Sequence, residues 1–106
     1  MIRGTTPTFV LTIHDNTIDL EQAESVYVTI CQPGITITKK DEDLNITLRT
    51  VECYLTQLES LKLLPENITE IQINWTYLDD ANVLRRAATE VKAVNIGRQL
   101  LPEVLT

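Results

Sequence analysis

The chain has 106 residues, of which 43% are hydrophobic and 23% charged. That is the make-up of one folded domain and not of a disordered chain. Acidic residues number 15 and basic residues 9, for a formal charge of −6, a balance that excludes a surface built mainly to hold nucleic-acid phosphates.

The opening residues carry an apolar run, Phe9 to Ile13, that Thr12 interrupts and that is too short for a secretory signal. No window approaches the ~20 consecutive apolar residues of a membrane span. The expected location is therefore the cytosol, or a particle assembled there, with no membrane partner and no nucleic-acid partner.

Period-two alternation dominates the chain in order. Phe9, Leu11 and Ile13 alternate with Val10, Thr12 and His14 in a first strand, which Asp15-Asn16 ends. A weak helical turn is expected over Leu20 to Ser25. Val26, Val28 and Ile30 then alternate with Tyr27, Thr29 and Cys31. Pro33-Gly34 makes a turn, since Pro presets φ and Gly accepts a positive one. Ile35 and Ile37 define a third strand, and a charged turn follows at Lys40-Asp41-Glu42-Asp43. Leu44, Ile46 and Leu48 predict a strand over Asp43 to Arg49, and Val51, Cys53 and Leu55 another.

Thr56-Gln57-Leu58-Glu59 fits a capping box, in which the Thr hydroxyl and the Glu carboxylate each satisfy a free backbone N–H. The short helix it starts is expected to face inward with Leu58, Leu61 and the stem of Lys62, and to end before Pro65. Ile71, Ile73, Trp75 and Tyr77 share one face of the strongest strand, so core placement is expected for both aromatic rings. After a turn at Asp79-Asp80-Ala81-Asn82, the stretch from about Val83 to Val94 reads as a last strand, although its Ala, Leu, Arg, Glu and Lys would also suit a helix. The expected architecture is mainly β: one antiparallel β-sandwich domain over residues 1–106, immunoglobulin-like, with six or seven strands and one or two short helical turns.

Reactive chemistry is sparse. His14 is the only imidazole and no nucleophile is placed beside it. Gly4, Gly34 and Gly97 are isolated, so no phosphate-cradling loop is present. Asp41, Glu42 and Asp43 lack the alternating spacing of a calcium loop. Cys31 and Cys53 have no C-x-x-C spacing and are expected as small buried or half-buried apolar groups. Arg85 and Arg86 point to opposite faces of a strand and form no patch. The reading is of a non-enzyme with no catalytic residue, cofactor or metal. The segment 97–106 is too apolar for an idle tail. Its Leu100, Leu101, Val104 and Leu105 are the candidate interaction residues.

Several short motifs occur together: Arg3-Gly4-Thr5-Thr6-Pro7-Thr8; Val26-Tyr27-Val28-Thr29-Ile30 followed by Gln32; Leu55-Thr56-Gln57 with Glu59; Ile71-Gln72-Ile73-Asn74-Trp75 with a turn beginning at Asp79; and Ala88-Thr89. In this order and spacing, over nearly the full chain, they resemble a family of small β-rich proteins encoded in phages and prophages of Gram-positive bacteria. Genes of that family tend to lie among tail and baseplate genes. The resemblance implies a structural or assembly component of a virion, related to upper-baseplate modules, with other tail or baseplate proteins as partners. It implies work by self-association into a homo-oligomer or by docking to a larger tail protein, in the virion or in the host bacterial cytoplasm during assembly. It supplies no catalytic residue. Asp80 stands where the family's last turn has Gly, which bears on the turn type. The alternative reading is a carbohydrate-binding module for host-surface recognition, with Tyr27 and Tyr54 on the polar faces of their strands as its best aromatic candidates.

Overall fold

The computed structural model describes residues 1–2, 4–65 and 67–97. Eight strands are found among them: β1 Thr8–Thr12, β2 Ser25–Gln32, β3 Ile35–Lys40, β4 Leu44–Ile46, β5 Thr50–Tyr54, β6 Thr69–Leu78, β7 Leu84–Ala88 and β8 Lys92–Val94. They form two antiparallel sheets. One has the order β1-β5-β4; the other has the order β3-β2-β6-β7, with β8 beside the first half of β6. The expected mainly β, two-sheet architecture is what the chain adopts, with eight strands in place of the expected six or seven, because the last stretch breaks at 89–91 into β7 and β8.

Alternation explains the layering. Val26, Val28 and Ile30 of β2, Ile37 of β3 and Ile71, Ile73 and Trp75 of β6 turn inward from the large sheet. Val51 and Cys53 of β5 turn inward from the small one, and both sets belong to one core cluster. Phe9, Leu11, Leu44 and Ile46 pack against its rim. The alternate residues face water, as expected for sheets covered on one side.

Local sequence closes the elements. Gln32 pairs with Ile35 across Pro33-Gly34, and Gly34 has a φ of +77°. Pro at the first corner and a positive φ at the second make this a type II turn. The β6–β7 turn departs from a glycine pattern in another way. The Asn82 N–H donates to the Asp79 carbonyl at 2.9 Å, and Asn82, not Asp80, takes the positive φ of 58°. This is a type I turn followed by one left-handed residue, a role Asn fills well. Asp79 organises it: its Oδ1 accepts from the N–H groups of Ala81 and Val83, each at 2.9 Å, and its Oδ2 accepts from Arg85 Nε.

The capping box forms as read. Thr56 Oγ1 accepts from the Glu59 N–H at 3.2 Å, and the Thr56 N–H donates to Glu59 Oε1 at 3.0 Å. The helix it starts, α1, covers Gln57–Leu61. The helical turn near residue 20 is a 3-10 turn, Leu20–Gln22, capped by Asp19. Residues 84–94 are strand and not helix, interrupted at 89–91, where the Thr89 hydroxyl accepts from the Ile73 N–H at 3.1 Å.

Four further expectations are corrected. The Asp43–Arg49 strand stops at Ile46, because the Thr47 N–H turns back to the Thr50 carbonyl at 2.9 Å. The carbonyls of Leu48 and Arg49 then serve Leu20 and Ile13, and the Leu48 side chain is exposed. Leu58 is 61% exposed instead of inward: Lys39 and the capping box hold Glu59 at β3, so Ser60 and the following Leu63 take the inner side. Tyr77 is exposed although it shares the parity of Trp75. It lies at the far end of β6, beside Arg85 of β7. Cys31 is exposed while Cys53 is in the core.

Candidate interaction surfaces

Four of the residues singled out in the sequence, Leu100, Leu101, Val104 and Leu105, lie outside the described residues. Gly97 is described. Its N–H donates to the Met1 carbonyl, and Ile2 and Gly97 form a parallel bridge, so the two ends of the described chain meet. His14 is exposed. Among the described residues no group of three or more His, Cys, Asp or Glu side chains is arranged to hold a metal ion. No helix among them is long and apolar enough to cross a membrane.

Two concave surfaces flank the β6–β7 hairpin. The first lies on the wet face of the large sheet. It has a volume of about 400 Å³ and is lined by Tyr27, Thr29, Thr38, Asn74, Thr76 and Arg86. Strand register gathers these residues: Tyr27 is opposite Asn74, Thr29 opposite Thr38, and Thr76 opposite Arg86. A directed chain of hydrogen bonds fixes them. Arg86 donates to Asn74 Oδ1 through Nε at 3.2 Å and Nη2 at 3.0 Å. Asn74 donates to Gln72 Oε1 at 3.5 Å, and Gln72 Nε2 donates to the Thr89 carbonyl at 2.8 Å. Ser25 and Thr76 share a hydroxyl–hydroxyl contact at 2.5 Å. Tyr54 stands on the small sheet, so Tyr27 and Tyr54 do not form one aromatic platform.

The second surface is the underside of the same hairpin, where the large sheet extends past the small one. Thr17, Ile18, Asp19, Gln22, Trp75, Tyr77, Leu78 and Ala87 line a hollow of about 460 Å³. At the tip, Leu78 faces Leu84 across the ladder on the wet-face side shared with Thr76 and Arg86, 49% and 60% exposed, with Val83 exposed in the adjoining turn. Leu84 falls in the expected last strand and Leu78 just past the expected end of the Ile71–Tyr77 run; only the structure shows that they pair and that both are exposed among the described residues.

Electrostatics here are structural. The Arg85 hydrogen bond holds the Asp79 carboxyl below the usual carboxylate range, aided by the Val83 N–H. Burial pushes the Cys53 thiol up to about 11, which makes it a poor nucleophile at neutral pH. Partial burial alone would raise Glu59, but the Lys39 ammonium at 2.6 Å and the Thr56 N–H outweigh it and hold the carboxyl low.

The chain matches no protein-family model, no curated protein and no solved structure.

Proposed function

We propose that the chain is a non-enzymatic structural or assembly module of a phage or prophage tail or baseplate, acting by binding other proteins of the particle. The observation that carries this reading is the apolar end of the β6–β7 hairpin. Leu78 and Leu84 are exposed as a pair on the Thr76–Arg86 side of the hairpin end, Val83 is exposed in its turn, and the other side of the same end holds the hollow lined by Ile18, Trp75, Tyr77 and Ala87. Exposed apolar groups gathered at one end and rimmed by polar residues, here Asp79 and Arg85, are the usual form of a protein-docking surface. The family resemblance supports the setting, and with it a location in the virion or in the host cytoplasm during assembly. Strand order supports an immunoglobulin-like connectivity: read as strands B, C, C′, D, E, F and G, β1 to β7 give B-E-D and C′-C-F-G. The test is incorporation. A Leu78→Asp, Leu84→Asp double variant, changed only at exposed positions, is expected to fold and to be lost from purified particles. Unchanged incorporation contradicts the reading.

The wet-face concavity supports the second reading, carbohydrate recognition. Tyr27 offers a ring face beside amide, hydroxyl and guanidinium groups already held in place by the Arg86–Asn74–Gln72 chain. A glycan array with the native chain and a Tyr27→Ala variant decides it: Tyr27-dependent binding supports the reading, and a blank array removes it.

A further inference from the structure

Of the sheet edges, one is undefended. The β4 edge is three residues long. The β3 edge ends in Lys39 and Lys40. The β7–β8 edge carries Arg85 and Arg86 and is broken at 89–91. Short length, charge and interruption are how proteins keep sheet edges from joining. The β1 edge has none of these. Thr8-Phe9-Val10-Leu11-Thr12 is uncharged, and Val10 at its centre is 60% exposed.

Register shows which backbone groups this edge presents. β1 and β5 pair with Phe9 opposite Cys53 and Leu11 opposite Val51. The Leu55 N–H donates to the Pro7 carbonyl and the Ile13 N–H to the Arg49 carbonyl. Odd-numbered residues of β1 therefore exchange hydrogen bonds with β5. The N–H and C=O groups of Thr8, Val10 and Thr12 point away from it. None of these groups has a partner among the described residues.

The sequence of the edge is also symmetric about Val10: hydroxyl, apolar, Val, apolar, hydroxyl. We infer that this edge binds a second copy of the same chain, β1 against β1, antiparallel about a two-fold axis at Val10. In that register Val10 faces Val10, Thr8 faces Thr12, and the half-buried Phe9 lies beside Leu11 of the second copy. The pairing satisfies three N–H and three C=O groups from each copy. It extends each core strip and joins the two small sheets into one of six strands. Self-complementarity is what a two-fold contact requires, and no charge is brought together along the strand. The edges ending in Lys39-Lys40 and bearing Arg85-Arg86 do not meet that condition so simply. The inference goes beyond the assembly reading and holds whether or not the chain resides in a virion.

The test is the mass of the isolated full chain by sedimentation across concentration. A monomer–dimer equilibrium is expected. It should tighten as salt is raised, because each copy carries a formal charge of −6. Val10→Lys sets two ammonium groups against each other and is expected to raise the dimer dissociation constant about tenfold or more, without loss of β-sheet circular dichroism. Register is read by a short bis-maleimide in a Cys31→Ser background. Val10→Cys should cross-link to itself, because the two positions lie about 5.5 Å apart. Thr8→Cys should not, because its copies are separated by four residues at about 3.4 Å each. A full chain that stays monomeric at millimolar concentration overturns the inference. So does a Val10→Lys dimer of native affinity, or equal cross-linking at positions 8 and 10. Amides of Thr8, Val10 and Thr12 that are protected from exchange in dilute monomer would mean that the chain covers its own edge, and would also overturn it.

Discussion

Gln32 and Leu64 are joined by two hydrogen bonds that copy a strand ladder. Gln32 Nε2 donates to the Leu64 carbonyl at 2.7 Å, and the Leu64 N–H donates to Gln32 Oε1 at 2.9 Å. The same Nε2 reaches Thr69 Oγ1 at 2.8 Å, and Gln32 is 1% exposed. One side chain at the end of β2 thus pins both the chain leaving α1 and the start of β6. The amide is needed because it donates and accepts at once. Gln32→Ala leaves the buried Thr69 hydroxyl and the part-buried backbone groups of Leu64 without this partner and opens a void, for a loss of about 3 kcal/mol. Chemical denaturation should show a lower midpoint with an unchanged slope.

Glu59 gives the fold an acid limit. Its folded-state pKa lies below the ordinary value of 4.5. The charged form therefore stabilises the fold at pH above 4.5, and that contribution is lost as pH falls through the folded-state value. Thermal melts between pH 7 and pH 3 should show native stability falling in this acid range. Glu59→Gln should lower stability at pH 7 by about 1 kcal/mol and flatten the acid dependence, since it removes both the Lys39 pair and the charged half of the capping box.

The two thiols are expected to separate cleanly. Cys31 is exposed on the wet face, whereas Cys53 is fully buried and its thiol is raised to about 11. A disulfide-exchange reagent should titrate one thiol quickly in the native chain and the second only on the timescale of unfolding. Two fast thiols would show that β5 is not part of a closed core.

Much of this fold was legible because side-chain parity and turn chemistry are local. Ile71, Ile73 and Trp75 are core residues as their alternation says. The type II turn follows from Pro33-Gly34, and the helix start from Thr56 and Glu59. What was not legible is set by sheet extent. Tyr77 has core parity, but at the end of β6 it lines an open hollow beside Ile18 and is left 38% exposed. Leu48 continues an alternating pattern, yet the Thr47–Thr50 turn removes it from any strand. Gln32 read as one residue of a motif, because its partners Leu64 and Thr69 are 32 and 37 residues away. The exposed pair Leu78 and Leu84 was hidden in the same way, since register across a hairpin decides what stands alone.

Quantitative mass spectrometry of phage particles purified from the strain that encodes this chain tests the assembly account most directly. The account predicts the chain in the particles, in fixed proportion to the tail and baseplate proteins. Intact, infectious particles lacking the chain, with all of it recovered in the cytosol of the producing cells, would contradict it.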